Sequence, residues 1–200
     1  MLKRLYASLF LGAAVLAGAQ AATVGQAAPE FTLRDVNGKT VRLSDYRGRH
    51  VVLEWNNPGC PFVRKHYDSG NMQALQKEAA ASNVVWLAIN STEPSHGDYL
   101  SPARLGRWMS EQKASPAATL MDEDGSAGRA YAARVTPHMY IVDPQGKLVY
   151  AGGIDSIPSA RAEDIRSATN YVRNSLGEAL AGKAISQPTT RAYGCTIKYR

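Results

Sequence analysis

The stretch Asn56-Asn57-Pro58-Gly59-Cys60-Pro61-Phe62-Val63 joins an apolar run, residues 51–55, to a segment with helical character. The apolar run has the composition of a buried strand. Pro61 suits the first turn of a helix, where its missing N–H costs nothing. Cys60 is therefore predicted at the N-cap or in the first turn, where free N–H groups and the helix dipole favour the nucleophilic thiolate. The stretch predicts a strand–turn–helix unit that carries a reactive cysteine.

The N-terminal residues 1–21 have the pattern of a signal peptide. Lys3 and Arg4 form a basic start, an apolar centre follows, and Ala19-Gln20-Ala21 is a small-residue cleavage signal. The apolar run is short for a membrane span. We therefore expect one mature domain, residues 22–200, that is periplasmic or secreted and has no stable membrane insertion after cleavage.

Length and charge narrow the class of protein further. The chain has 200 residues, 44% of them hydrophobic, which suits a single domain with a substantial core. Its formal net charge is +6, but the basic residues are scattered and form no stripe interleaved with aromatic residues. The sequence predicts no nucleic-acid partner.

The chain has two cysteines, Cys60 and Cys195, and the second lies in a tail, residues 183–200, that has no clear periodicity. In an oxidising compartment two cysteines can form a structural bridge, form a redox pair, or remain separate thiols. The residues alone leave these three alternatives open.

The order of predicted elements indicates an α/β fold. A hairpin at Asn37-Gly38 precedes a β–α–β–α series, and a second hairpin and a long helix, about Ala162 to Leu180, close the domain. Ser69-Gly70-Asn71 predicts a break in the helix after Cys60. Short crossovers place the parallel strands in one sheet with helices on both faces. Thr136-Pro137 is predicted as a strand start or a cis turn beside the Cys60 strand.

These segments together resemble the thioredoxin fold, in the redoxin branch that includes alkyl hydroperoxide reductase and thiol-specific antioxidant proteins. The resemblance covers about residues 24–182. It rests, in order, on Val24 to Leu33, Gly38 to Gly48, Gly59-Cys60-Pro61, Thr136-Pro137-His138, Tyr140 to Asp143 and Gly146 to Tyr150. The peroxiredoxin-like thioredoxin-family proteins are most similar, since they share Cys-Pro-Phe-Val and a late Gly-Cys, here Gly194-Cys195. The resemblance implies a central mixed sheet flanked by helices, with an N-terminal β-hairpin extension and a C-terminal helix and tail.

The sequence departs from the motifs of typical peroxiredoxins and from the motif of thioredoxins, and these departures define the predicted site. Leu53 and Asn57 stand where typical peroxiredoxins have the proline and the hydroxyl residue that hold peroxide, and Pro137 stands where they have an arginine. Val63 stands where a thioredoxin has its second cysteine. Cys195 is therefore the remaining partner that could resolve a mixed disulfide or a sulfenic acid on Cys60.

The resemblance predicts an exported thiol-disulfide oxidoreductase or a peroxiredoxin-like antioxidant protein, with Cys60 as nucleophile and Cys195 as resolving cysteine. The supporting residues are predicted to be Asn57, Gly59, Pro61, Arg64, Thr136, Pro137 and His138. Arg64 and the adjacent Lys65 are expected to lower the pKa of Cys60. The substrate is expected to be a protein disulfide, a small thiol or a peroxide, with no cofactor and no metal, and the electron donor stays open.

Two other functions remain as alternatives. A redox-inert binding protein would hold Cys60 and Cys195 in a permanent structural disulfide. A copper-handling protein would use Cys60 with His66 or His138 as ligands. The sequence favours a helix-surface position for His66, and for His138 it leaves a base for Cys60 and a plain strand residue equally open.

Overall fold

The computed structural model describes residues 21–200. The predicted signal peptide, residues 1–21, lies outside the described residues except for Ala21. Within residues 21–200, no helix is both long and apolar enough to cross a membrane.

The described chain forms one mixed sheet of seven strands, with helices on both faces, and a separate two-stranded ladder. The strands of the main sheet are β1 (Thr32–Asp35), β2 (Thr40–Arg42), β3 (Val51–Trp55), β4 (Val85–Asn90), β5 (Ala118–Met121), β7 (His138–Val142) and β8 (Leu148–Gly152). The small ladder pairs β6 (Val135–Thr136) with β9 (Cys195–Thr196). The helices are α1 (Pro61–Asp68), α2 (Asn71–Ala81), α3 (Pro102–Glu111), α4 (Ser126–Ala130) and α5 (Tyr171–Leu180), with 3-10 turns at Leu43–Tyr46 and Ala162–Arg166.

The strand order is β2-β1-β5-β4-β3-β7-β8. Strands β3, β4 and β5 are parallel to one another, while β7 pairs antiparallel with β3. The predicted N-terminal hairpin is confirmed, and its turn uses Gly38 at φ +82°. The thioredoxin-like fold predicted from the sequence is therefore present.

The central strand β3 is buried on both faces of the sheet. Val51, Leu53 and Trp55 pack into one hydrophobic cluster, with Tyr131 and Tyr140. Val52 packs into the other cluster, which also contains Cys60 and the apolar residues of α1 and α2. Burial on both faces explains why β3 reads as a nearly continuous apolar run. This buried strand ends at Trp55 and leads directly into the turn that carries Cys60.

Two helix predictions have different outcomes. The break at Ser69-Gly70-Asn71 is confirmed, since α1 ends at Asp68 and α2 begins at Asn71 after Gly70 at φ +77°. The single long helix from Ala162 to Leu180 is wrong, because a 3-10 turn and an extended residue, Asn170, precede α5. Asn170 caps α5 by accepting a hydrogen bond from the backbone N–H of Arg173, which starts a new helix there.

The tail, residues 183–200, folds back along the domain and pairs with β6 through β9. Thr136 pairs with Cys195 in the small ladder, and the N–H of Ile197 donates to the carbonyl of Arg134. Farther upstream, the N–H of Thr190 donates to the carbonyl of Ala151. These contacts carry the second cysteine to the start of α1.

Candidate active site

Cys60 is the N-cap residue of α1. Its backbone is extended, at φ −83° and ψ 122°, and Pro61 occupies the first turn as predicted. The carbonyl of Cys60 accepts the first helical hydrogen bonds, from the N–H groups of Val63 and Arg64, both at 3.0 Å. The side chain is 2% exposed. A thiolate formed here would face the positive end of the α1 dipole.

The structure joins Cys60 to Cys195 in a disulfide. Their Cα atoms are 5.8 Å apart, within the usual range for a bridge, across a sequence separation of 135 residues. The Sγ atom of Cys60 also lies 3.2 Å from the carbonyl oxygen of Thr136. The disulfide excludes two separate thiols in this structure, and it is compatible with both a structural bridge and a redox pair.

Asn57 shapes the turn in front of Cys60. Its Oδ1 accepts a hydrogen bond from the N–H of Gly59 at 2.7 Å, and its Nδ2 donates to Oγ1 of Thr92 at 3.0 Å. The N–H of Cys60 donates to the carbonyl of Asn57 at 2.9 Å. The Asn57 side chain is thus engaged in holding the loop. A Cβ at Gly59 would lie 3.2 Å from Asn57 Oδ1, which is a tight contact.

Thr136 and Pro137 lie beside the disulfide, and the peptide bond between them is cis. Gly194 approaches Thr136 so closely that an added Cβ would clash with the Thr136 carbonyl. This contact explains why a glycine precedes Cys195. Within the described residues, the buried Oγ1 of Thr136 has no hydrogen-bond partner.

His138 lies on the opposite face of the sheet from the cysteine. Side chains alternate along β7, and Met139 packs in the cluster that contains Cys60. His138 instead stacks on Tyr140, with 4.5 Å between ring centroids, and its Nδ1 lies 3.2 Å from the Tyr140 hydroxyl. Burial, aided by the charge of Arg134, lowers the pKa of His138 to about 4. Of the two interpretations left open, the strand residue fits this placement.

The two cations that follow Cys60 have different surroundings. Arg64 is exposed and makes a long ion pair with Asp68, at 3.9 Å. Lys65 is buried, and its Nζ donates to Oδ2 of Asp155 at 3.1 Å and to the carbonyl of Ile157 at 3.2 Å. The structure therefore commits Lys65 to Asp155 rather than leaving its charge free for Cys60.

His66 is a correction to the sequence interpretation, because its side chain is fully buried rather than on the helix surface. Its Nδ1 lies 2.8 Å from Nδ2 of Asn71, and its Nε2 lies 3.7 Å from Oδ2 of Asp155. Burial lowers the pKa of His66 to about 4, against the opposing effect of Asp155. Asp155 lies far along the chain from His66. The helical periodicity around His66 therefore could not show that its side chain is buried.

Asp155 and Tyr193 are site residues that sequence reasoning missed. The Tyr193 hydroxyl donates to Oδ1 of Asp155, and it lies 3.4 Å from Nζ of Lys65 and 3.5 Å from Nε2 of His66. The Tyr193 ring packs edge-on against Phe62, in the first turn of α1, at 5.8 Å. An aromatic residue just before the Gly-Cys of the tail was the available signal.

A buried carboxyl group lies between β3 and α1. Glu54 accepts hydrogen bonds from the Tyr67 hydroxyl and from Nε1 of Trp86, both at 2.7 Å. Burial raises the pKa of Glu54, although these hydrogen bonds act in the other direction. Trp86 and Trp55 are both buried core residues.

No ligand set supports the copper alternative in the part of the chain that the structure describes. Residues 21–200 contain no group of three or more His, Cys, Asp or Glu side chains placed to hold a metal ion. Cys60 is bonded to Cys195, and His138 lies across the sheet from it.

The fold and this site define a thioredoxin-like protein in which a cysteine at a helix N-cap pairs with a cysteine of the C-terminal tail. The model of the AhpC/TSA family matches residues 24–151, so the chain belongs to that family.

Individual proteins are similar to the chain at a moderate level. It is 28% identical to the thiol-disulfide oxidoreductase ResA of Bacillus subtilis over 143 residues, which cover 68% of this chain and 70% of the relative. It is 24% identical to the peroxiredoxin Bcp of the same organism over 133 residues, covering 63% and 82%. A solved structure of an uncharacterized conserved protein from Geobacillus kaustophilus superposes with a TM-score of 0.75 at 28% identity, covering 89% of this chain and 93% of that one.

Proposed function

We propose that the protein is an exported thiol-disulfide oxidoreductase that acts on protein or small-molecule disulfides and thiols. The observation that carries the proposal is the disulfide between Cys60, at the N-cap of α1, and Cys195, in the tail. The similarity of the chain to the thiol-disulfide oxidoreductase ResA of Bacillus subtilis supports the same class of reaction. The basic start, apolar centre and small-residue site of residues 1–21 support export.

In the reduced protein, the Cys60 thiolate attacks one sulfur of a substrate disulfide. A Cys60–substrate bond forms, and the other substrate sulfur leaves as a thiolate that takes a proton from water. The Cys195 thiol then loses its proton and attacks the Cys60 sulfur, which forms the Cys60–Cys195 bond and releases the second substrate thiol. Two electrons pass from the protein to the substrate. A substrate dithiol reverses these steps and is itself oxidised.

Exchange fits the site better than peroxide reduction does. Efficient peroxidases place hydrogen-bond donors on the oxygen atoms whose bond is broken. Here Asn57, at the position of the missing hydroxyl, holds Gly59 and Thr92. Pro137 has no N–H or side-chain donor to offer. The similarity to a peroxiredoxin makes hydrogen peroxide the natural comparison substrate.

The test supplies a disulfide-linked peptide and, separately, hydrogen peroxide to wild type, Cys60→Ser and Cys195→Ser, with dithiothreitol as reductant. We expect faster turnover of the disulfide than of peroxide and loss of more than about 99% of exchange activity in Cys60→Ser. When reduced Cys195→Ser is freed of dithiothreitol and mixed with the peptide, we expect a trapped Cys60–peptide adduct. The double variant Cys60→Ser/Cys195→Ser gives the background rate.

Wild-type turnover by Cys60→Ser would contradict the proposal. So would a reduction potential below about −300 mV without turnover, because that range is typical of structural disulfides. The latter result would favour the redox-inert binding protein.

A further inference from the structure

The tail is held near Cys60 by more than the disulfide. Thr190 and Ile197 make backbone hydrogen bonds on either side of Cys195. Tyr193 is different, because its hydroxyl reaches a buried ion pair between Lys65 of α1 and Asp155, which follows β8. The side chains of Lys65 and Asp155 are 0% and 3% exposed.

The hydrogen bonds of this ion pair are complete only when the tail is docked. Lys65 Nζ has three N–H donors, and its three near neighbours are Asp155, Ile157 and the Tyr193 hydroxyl. Asp155 Oδ1 accepts from the N–H of Ile157 and from the Tyr193 hydroxyl. Removal of the tyrosine hydroxyl leaves a buried charge short of partners, which is costly.

The location of Tyr193 turns this stabilisation into a geometric constraint. Tyr193 is separated from Cys195 by Gly194 alone, and Lys65 lies on α1, the helix that Cys60 caps. The ring contact between Tyr193 and Phe62 adds a second attachment to the same helix. Burial and the neighbouring Asp155 raise the pKa of Tyr193, so its hydroxyl keeps the proton that it donates.

We infer that Tyr193 is a positioning residue for disulfide formation: by completing the buried Lys65–Asp155 pair, it holds Cys195 of the reduced tail within reach of Cys60. This inference rests on the proposed exchange between the two cysteines. Tyr193 touches neither sulfur in the chemical step. It raises the effective concentration of Cys195 at Cys60, and so favours the intramolecular disulfide over a mixed one.

The first experiment measures the equilibrium between the dithiol and disulfide forms in buffers of reduced and oxidised glutathione. One oxidised glutathione becomes two reduced molecules for each Cys60–Cys195 bond formed. For Tyr193→Phe, we expect the equilibrium constant for disulfide formation to fall about tenfold, which corresponds to about 30 mV for this two-electron couple. Dithiothreitol buffers replace glutathione if the disulfide is too stable to be reduced.

The matched control is Tyr199→Phe, on the other side of Cys195 in the same tail. The Tyr199 hydroxyl donates to the uncharged carbonyl of Ala133 at 2.8 Å. Tyr199→Phe should also lower the equilibrium constant for disulfide formation, but by a factor at least threefold smaller than the factor for Tyr193→Phe. An equal effect of the two substitutions, or none for Tyr193→Phe, would overturn the inference. Circular dichroism of each oxidised variant checks that the fold is retained.

A second measurement separates this inference from the proposed function, since it requires no turnover. In a Cys195→Ser background, iodoacetamide alkylates Cys60 at a rate that depends on how well the tail covers it. Tyr193→Phe should raise this rate at least threefold, because the tail is released more often, while Tyr199→Phe should change it less. If exchange activity is absent but this pattern holds, the proposed function fails and the positioning role stands; unchanged alkylation in Tyr193→Phe would remove the positioning role.

Discussion

His66 of α1 is a neutral histidine whose side chain is buried close to Tyr193 of the tail. Asn71 Nδ2 donates to its Nδ1, so the ring proton is assigned to Nε2, which faces Asp155 and Tyr193. Burial makes the charged form unfavourable and lowers the pKa of His66 from 6.5 to about 4. The folded protein therefore binds a proton here less readily than the unfolded chain does.

This difference makes the stability of the protein depend on pH. The contribution of His66 is fully present above pH 6.5, where both states are neutral, and it is lost as pH falls toward 4. Between pH 7.5 and 4.5, we expect wild type to lose about 2 to 3 kcal/mol more unfolding free energy than His66→Gln does. Urea unfolding of the oxidised proteins at the two pH values measures the difference.

The partly exposed histidine His96 provides the matched control position, and the loss in wild type should exceed that of His66→Gln by more than it exceeds that of His96→Gln. His138, whose pKa is also lowered to about 4, is present in every protein compared, so its contribution cancels. An equal loss in wild type and His66→Gln would show that His66 is not the source of the acid sensitivity.

At the level of elements, sequence patterns predicted best where the cause is local. The turn chemistry of Asn37-Gly38 and the break at Ser69-Gly70-Asn71 were correct because both depend on neighbouring residues. The helix from Ala162 to Leu180 was wrong because the break depends on distant contacts. The N–H of Tyr171 donates to the carbonyl of Ile154, and Asn170 forms a bridge with Asp155. Leu180, the last residue of α5, is 42% exposed.

The candidate site shows the same division. A strand, a turn and Pro61 were enough to place Cys60 at a helix N-cap. The surroundings of Lys65 and His66 could not be predicted, because Asp155 and Tyr193 reach α1 from later parts of the chain. Helical periodicity predicts which face of a helix a residue occupies. It does not predict whether a carboxylate from a distant part of the chain lies against that face and neutralises a basic side chain there.

The link between α1 and β9 has a predictable effect on stability. The disulfide closes a loop across 135 residues, which restricts the unfolded chain far more than the folded one. We expect Cys195→Ser to lower the unfolding free energy by about 3 to 5 kcal/mol relative to the oxidised wild type. Urea titration followed by tryptophan fluorescence measures this loss.

The reduced wild type is the matched reference, because it lacks the cross-link but keeps every other side chain. Cys195→Ser, Cys60→Ser and reduced wild type should agree within about 1 kcal/mol. If Cys195→Ser is as stable as the oxidised protein, the bridge contributes nothing to folding.

For the whole molecule, the sheet and the tail differ in how they are held. Strands β3 and β4 are paired along their full length and buried on both faces. The tail runs along the surface and is fixed by the short β9 ladder, a few hydrogen bonds and the disulfide. Segments with few buried contacts open at lower free energy than the core does. Reduction should therefore loosen the tail before it affects the sheet.

Amide hydrogen exchange of the oxidised and reduced protein tests this difference. The N–H of Ile197, which donates to Arg134 at 3.0 Å, should exchange at least tenfold faster after reduction, because β9 then loses its covalent attachment. The N–H of Val85, which donates to His50 at 2.9 Å beside the central strands, should change less than twofold. Cys195→Ser without reductant should reproduce the reduced pattern, which excludes an effect of the reductant itself. Equal acceleration at Ile197 and Val85 would mean that the disulfide stabilises the domain as one unit, and a mobile tail could then not deliver Cys195 to a mixed disulfide on Cys60.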